Sequence, residues 1–535
     1  MSLMNLELTT ERVEAAKEKI KKQYLAEDNN LPWLIGYSGG KDSTCTAQLV
    51  FKSLLELKAT GNPLKRKVVV FSSDTMIENP LVKAIIQKNI ALINSKAKSE
   101  SLPIEAVILR PDITKTYWVN IIGRGYPCPN TMFRWCTDRL KIEPANTFVK
   151  RFIDKNGETI MVLGVRQGES QTRDRVLEKH GVKGETLMRH TTLTNAYVFP
   201  PIKDLSTVDV FTYLSEFPSP WGSSNKELFF FYEESGGGDC PIFLSDNEMT
   251  SKNSCGNSRL GCWICTVVSQ DKSLSGFINT GFHDYLKPLL DFRNWLSSIR
   301  DKDEYRCRFR ANGSMYLIQL ALKKASDTGK QVLQIPNKGS HNATEVLIED
   351  DGTLPPDSGF ILVEEQKVSA YMKANNLTPK SKEMAKLIIY NPVTGVYSRL
   401  GTGPFTYEAR VEILKKLLET EKEYLKQSGQ VEYLLSDAEI IEIIKIWNKN
   451  GDATEPINEL LAKYGRKPVV LVKDESEIWN EKYKSDLKKL AKKNHADFDL
   501  IMKIFQIEKD HLCEDQRSSA QQEIISAVNS DRFNY

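Results

Sequence analysis

Trp33-Leu34-Ile35-Gly36-Tyr37-Ser38-Gly39-Gly40-Lys41-Asp42-Ser43 is the stretch that decides the fold. Its first five residues form a short, mostly apolar run, the pattern of a buried strand. From Ser43 to about Leu57 apolar residues recur at helical spacing. Ser38-Gly39-Gly40 joins the two. Glycines let backbone approach a ligand closely, and the N–H groups that open a helix favour an anion, so a phosphate is expected here. The loop is not a Walker A loop, which needs glycine where Ile35 stands and serine or threonine where Asp42 stands. The competing reading is a glycine-rich turn that binds nothing.

Outward from this stretch, strand-like and helix-like segments alternate. Val68–Phe71 reads as a second buried strand, ending at Ser72-Ser73-Asp74-Thr75, and residues 80–98 read as a helix. Residues 104–109 and 160–165 read as third and fourth strands. This order predicts an α/β fold: an open parallel sheet with helices on both faces. Ligands of such sheets bind at the carboxyl ends of the strands. Asp74 stands at one such end, either near a nucleotide or as part of a cap on the next helix. After strand four, Gly164-Val165-Arg166 leads to Glu169-Ser170 and Arg173. Arg166 and Arg173 suit phosphate or adenosine, because guanidinium forks match phosphate oxygens; a solvated helix start is the alternative.

Between strands three and four lies Arg134-Trp135-Cys136-Thr137-Asp138-Arg139-Leu140-Lys141. Arg134, Arg139 and Lys141 are suited to an anionic substrate such as a phosphodiester. A thiol beside such charges is expected to have a lowered pKa, which makes Cys136 a candidate catalytic sulfur carrier. A buried structural cysteine is the alternative. Four more cysteines, Cys240, Cys255, Cys262 and Cys265, fall close together. In a reducing compartment such a group suggests a metal rather than disulfides. One CxxC with two wider spacings suits either structural zinc or an iron–sulfur cluster.

These motifs carry a resemblance. The loop Ser38–Ser43 is similar to the SGGxDS loop of the PP-loop ATP pyrophosphatases, which have an adenine nucleotide α hydrolase-like fold. That similarity implies that Ser38, Gly39, Gly40, Lys41, Asp42 and Ser43 hold the pyrophosphate of ATP, with cleavage between the α and β phosphates. Lys41 then offsets charge and Asp42 helps hold Mg²⁺. Phe199-Pro200-Pro201-Ile202-Lys203-Asp204 and the Cys136 segment are similar to phosphoadenylylsulfate reductases. Taken with Arg259-Leu260-Gly261-Cys262-Trp263-Ile264-Cys265 and Gly403-Pro404-Phe405-Thr406, the set resembles the DndC family of sulfurtransferases. The resemblance implies a 4Fe–4S cluster on Cys240, Cys255, Cys262 and Cys265. It also implies ATP cleavage to AMP and pyrophosphate, and replacement of a non-bridging DNA phosphate oxygen by sulfur. The implied partners are a cysteine desulfurase (DndA or IscS-like), DndD- and DndE-type proteins, and DNA as substrate. Another sulfur enzyme of the superfamily (a sulfonucleotide reductase or a tRNA thiolase) and a non-catalytic DNA-binding subunit are the competing classes.

Composition is ordinary for a globular protein: 40% hydrophobic and 27% charged residues, net charge +3. No apolar run is long enough for a membrane helix, and residues 1–25 read as a charged helix rather than a signal, so a cytoplasmic location without a membrane partner is expected. The expected organisation is an N-terminal helix (1–30), a PP-loop domain (31–235), a four-cysteine region (236–335), a linker (336–360) and a mostly helical C-terminal region (361–535). Arg306, Arg308 and Arg310 alternate with bulky residues and as a strand would share one exposed face, either a contact for DNA phosphates or a plain solvated sheet face. Lys488, Lys489, Lys492 and Lys493 read as the basic face of a helix.

Overall fold

Successive residues of a strand point to opposite faces of a sheet, and the first strand, β1 (Trp33–Gly36), does so with large side chains on both. Trp33 packs against Tyr24 of helix α1 (Leu3–Leu25), ring centroids 5.5 Å apart. Leu34 joins a buried cluster on the other face with Val69, Met161 and Val149, to which Phe148 and Phe152 also pack. The last three belong to the helix Glu143–Asn156. The sheet is therefore covered on both sides, and its strands read as continuous apolar runs for that reason.

The computed structural model describes residues 3–26, 30–167, 187–190, 193–234, 261–310, 313–324, 330–336, 343–379, 381–450, 457–469, 481–494, 497–510 and a few between 523 and 528. They form two compact units, Met1–Arg466 and Lys467–Tyr535. In the first, β1 is followed by α2 (Lys41–Ala59), β2 (Val68–Ser73), α3 (Pro80–Ser99), β3 (Ile104–Leu109), β4 (Thr159–Val162), β5 (Met188–Arg189) and β6 (Ala196–Phe199). The sheet order is β3-β2-β1-β4-β6-β5. Every pairing is parallel except that of the short β5 with β6. The outer edge of β3 is blunted by α3: the Asn94 amide donates to Ala106 O and accepts from Ala106 N–H, both at 2.8 Å.

Beyond the first sheet, β7 (Leu317–Gln319), β11 (Ile361–Glu364), β12 (Leu387–Asn391) and β13 (Val396–Leu400) form a four-stranded sheet. β8 (Ala321–Lys324), β9 (Gln331–Pro336) and β10 (Ala343–Leu347) form a three-stranded one. Leu333, Val346, Ile388 and Tyr397 share one core across the two. The stretch 337–358, rich in Gly, Asn, Asp and Pro, thus contains a strand (β10) as well as loop. Helices Tyr407–Ser428, Asp437–Lys449 and Ile457–Lys463 complete the unit. The first is capped by Thr406 and ends at Gly429 in the left-handed conformation; the second opens with a Ser436/Glu439 capping box. The second unit contains helices Glu481–Lys493, with Lys488, Lys489, Lys492 and Lys493 exposed, and Phe498–Asp510. Among the described residues no helix is long and apolar enough to cross a membrane.

The arginine strand expected at residues 306–310 is not an exposed face. Arg306 and Arg308 are buried. Arg306 donates to Arg300 O at 2.7 Å and to Gly403 O, and burial pulls its pKa down to about 10. Arg308 pairs with Asp303 at 2.6 Å. Only Arg310, against the Tyr316 ring, is exposed. Carbonyl groups of the Thr402-Gly403 turn, invisible to a side-chain pattern, draw Arg306 inward.

Candidate active site

The strand order turns back between β1 and β4. From β1 the chain winds outward through β2 and β3, then returns to β4 on the other side. A crevice opens at such a point, and both connections that leave it are rich in polar residues.

The connection after β1 is the loop Ser38–Gly40. Gly39 has φ +74°, and a Cβ there would come within 2.9 Å of Ile86 Cγ1, so only glycine fits. Ser43 Oγ accepts the Ser38 N–H at 3.1 Å, donates to Gly40 O at 3.0 Å and lies 3.0 Å from Ser38 Oγ. The loop is folded back on the first turn of α2. No side chain caps that helix at Gly40, which leaves its opening N–H groups suited to an anion. Lys41 is buried, with Nζ 3.1 Å from Asp42 Oδ2.

The connection after β4 reaches the same place. Gly164 passes so close that a Cβ on it would lie 2.8 Å from Asp42 O and 3.0 Å from Ser43 N. Arg166, 3% exposed, donates from Nε to Asp42 Oδ1 at 2.5 Å and from Nη1 to Thr207 Oγ1 at 3.1 Å. It stands behind Asp42 and orients its carboxylate. Arg173 lies outside the described residues.

After β2, Asp74 accepts the Met76 N–H at 2.9 Å and Arg110 Nε at 3.0 Å, turning the chain where Met76 has φ +66°. The cap of α3 is Asn79, which accepts the Leu81 N–H. A cavity of about 250 Å³ opens beside the loop. Gly36, Tyr37 and Ser38 line one side, Phe71, Val82 and Ile86 another, and Ser73, Glu78 and Lys141 the rest.

Cys262 and Cys265 lie beside Glu78, with Cys136 in electrostatic reach of Cys265. The turn Gly261–Cys265 pairs with the segment before α3: Trp263 N–H donates to Ile77 O at 3.1 Å and Asn79 N–H to Gly261 O at 3.2 Å. Thr266 Oγ1 ties it to Pro129 O at 2.7 Å. Arg293, 1% exposed, clamps the following carbonyls, donating to Cys265 O at 2.9 Å, Ser269 O at 3.0 Å and Val268 O. The hydrogen bond between the Cys262 and Cys265 thiols holds Cys265 down to about 6 and pushes Cys262 up. Tyr117 is buried within electrostatic reach of Cys128, Cys136, Cys262 and Cys265; burial, then those charges, push its pKa far up.

Cys136 departs from expectation. Its pKa is raised, first by burial and then by Cys265, not lowered by the neighbouring bases. Those bases are engaged elsewhere. Arg139 donates to Asn120 Oδ1 at 2.8 Å and Tyr126 Oη at 3.1 Å; Lys141 lies 3.6 Å from Glu78 Oε1; Arg134 is exposed. Two short π-turns, Val119–Gly123 and Asp138–Ile142, flank this locus. Such turns recur at functional sites.

Cys240 and Cys255 lie outside the described residues. Among the described residues no three His, Cys, Asp or Glu side chains come together closely enough for a metal ion. The adjacent thiols of Cys262 and Cys265, on a turn clamped by Arg293, have the chemistry of half a four-thiolate site. Glu78, Thr75, Arg293 and Tyr117 were not evident from sequence. Thr75 closes the strand end Ser72–Thr75, where only Asp74 was given a role; the other three lie outside the quoted motifs.

No family model matches the chain. Over 214 residues (40% of this chain) it is 27% identical to the uncharacterized protein MJ0066 of Methanocaldococcus jannaschii, spanning 35% of that protein's length. Similar solved structures include a phosphoadenylyl-sulfate reductase from Candida auris in complex with phosphate, with 13% identity over 43% of this chain and 92% of that one, TM-score 0.26. An FMN adenylyltransferase from Candida glabrata with FAD and inorganic pyrophosphate shows 14% identity over 40% of this chain and 58% of that one, TM-score 0.25. The U34-tRNA thiolase NcsA of Methanococcus maripaludis with its [4Fe-4S] cluster shows 15% identity over 41% and 71%, TM-score 0.24. At these identities and TM-scores the reading of the site rests on its own geometry.

Proposed function

We propose that the chain is a PP-loop ATP pyrophosphatase of the DndC type, which activates a DNA phosphate oxygen for replacement by sulfur. The observation that carries the reading is the loop Ser38–Ser43, folded onto an uncapped helix start at the point where the strand order turns back. The loop and the α2 N–H groups hold the β and γ phosphates of ATP. Lys41 offsets their charge, and Asp42, steadied by Arg166, is the carboxylate available to Mg²⁺. A non-bridging oxygen of the DNA phosphate attacks the α phosphorus and pyrophosphate leaves. A sulfur nucleophile then attacks the DNA phosphorus, and AMP leaves with the oxygen. Positioning and charge neutralisation are what the protein supplies to both steps.

In this reading Cys262 and Cys265, together with Cys240 and Cys255, would hold a 4Fe–4S cluster, which would supply sulfur or electron chemistry beside Cys136. A cysteine desulfurase provides the sulfur, and DndD- and DndE-type proteins bring the DNA. Arg134, an exposed base of the Cys136 segment, faces the incoming phosphodiester. The test is product analysis with labelled ATP, Mg²⁺ and phosphodiester DNA under anaerobic conditions. AMP and pyrophosphate are expected, with loss of both in Lys41→Ala. ADP and phosphate as the products, or turnover unchanged by Lys41→Ala, refutes it.

A further inference from the structure

The cavity beside the phosphate loop has two kinds of wall. Phe71, Val82 and Ile86 are apolar, the surface a purine base prefers. Opposite them stand Glu78 and Lys141. Glu78 is the carboxylate of this end, its side chain 7% exposed, and it is held in place. Thr75 Oγ1 donates to its Oε1 at 2.9 Å, and Lys141 Nζ lies 3.6 Å from the same oxygen. Both contacts fall on Oε1, which leaves Oε2, among the described residues, to whatever enters the cavity.

We infer that Glu78 reads the ribose of the bound nucleotide, accepting hydrogen bonds from its free 2′- and 3′-hydroxyls and turning away nucleotides phosphorylated there. This rests on the ATP reading of the neighbouring loop. An ionised carboxylate is an acceptor only, so it suits a diol, which donates, and repels a phosphate, which does not. Lys141 does not reverse the choice, because Glu78 already balances its charge. Lys141 Nζ lies 3.6 Å from Glu78 Oε1, so the ammonium is paired with that carboxylate and is not left over for a phosphate. The consequence is a site for ATP and not for a 3′-phosphoadenylyl nucleotide, which sets this chain apart from enzymes that act on 3′-phosphorylated sulfonucleotides.

The experiment is equilibrium binding of α,β-methylene-ATP, its 2′-deoxy and 3′-deoxy forms, and adenosine 3′,5′-bisphosphate, to the intact protein and to Glu78→Gln. Glutamine keeps the acceptor for Thr75. In the native protein at least one deoxy form is expected to bind about ten-fold or more weakly than the ribonucleotide, as for a lost hydrogen bond to a charged group. The bisphosphate is expected to bind undetectably. In Glu78→Gln the preference for the diol collapses, and the bisphosphate gains affinity because Lys141 is released, a gain that misfolding cannot produce. Equal binding of all three triphosphates by the native protein overturns the inference while leaving the ATP site standing. So does full discrimination by Glu78→Gln. Failure of the native protein to bind any triphosphate overturns the ATP reading as well.

Discussion

Replacing Gly164 by alanine adds one methyl group at the tightest point of the site. The new Cβ would lie 2.8 Å from Asp42 O, 2.9 Å from Asp42 C and 3.0 Å from Ser43 N, all backbone atoms that no rotamer change can move. To reach ordinary contact the phosphate loop and the β4 connection must separate by roughly half an ångström. Overpacking of this kind costs about 1–3 kcal/mol. The glycine does not have positive φ, so the effect is steric alone. If the body of the protein yields, urea unfolding records the loss directly. If the loop yields, stability holds and the affinity for α,β-methylene-ATP falls by about 5- to 150-fold, the same free energy on the binding scale. Gly36→Ala is the control for stability. It ends the adjacent strand, and its Cβ would meet only Leu163 at 3.5 Å and Phe71 at 3.8 Å, ordinary contact distances. Its unfolding midpoint is expected to stay near that of the parent. A Gly164→Ala protein that unfolds and binds nucleotide as the parent does would refute the packing argument for the site.

Other outcomes follow from the same geometry. Arg166→Met leaves the Asp42 carboxylate without its main partner; a loss of about 2–4 kcal/mol is expected in urea unfolding, and adding Asp42→Asn should restore part of it, since the cost is that of an unpaired charge. Arg293→Ala removes the donors that gather the carbonyls of Cys265, Val268 and Ser269; faster hydrogen exchange across 262–269 and less iron after anaerobic purification are expected, and unchanged exchange would count against the clamp. Cys136→Ser separates sulfur carriage from ligation: full iron with no sulfur transfer marks a carrier, whereas lost iron puts Cys136 among the ligands. Asp209 gives a pH dependence. Burial raises its pKa, but hydrogen bonds from Ser206, Thr9 and Arg12 outweigh this and hold it below the usual 3.8. Its clasp on α1 is therefore at full strength above about pH 4 and is lost as pH falls through the lower folded-state value. Protection of α1 amides, taken relative to the intrinsic exchange rate at each pH, should fall in acid, and Asp209→Asn should flatten that fall.

Much of the fold was legible because strands and helices of a doubly covered sheet advertise themselves. Val68–Phe71, residues 104–109 and residues 80–98 coincide with β2, β3 and α3 to within two residues. Ser206 forms a capping box with Asp209 at the start of the helix Thr207–Glu216. The loop Ser38–Gly40 announced its place between β1 and α2 through two glycines between an apolar run and a helix. What could not be read was which way long side chains turn. Arg306 looked like a surface base until the carbonyls of a turn 97 positions away drew it inside. The environment of Cys136 was misjudged for the same reason: nearness in sequence to Arg139 and Lys141 says nothing of where their charges end up. Strand β10 escaped notice because the residues around it carry turn signals stronger than its own short pattern.

The C-terminal helices do more than extend the chain. The indole N–H of Trp118 donates to Leu434 O at 3.0 Å, that of Trp447 to Ile122 O at 2.9 Å, and Arg410 Nη1 to Gly123 O at 2.6 Å. Phe405 N–H donates to Gly125 O at 2.6 Å. All four bonds grip residues 118–125, the scaffold that carries the thiol locus. A chain cut after the first sheet would lose all four of these bonds, so the segment that backs the thiols of Cys136, Cys262 and Cys265 is held in place from far beyond it in the sequence.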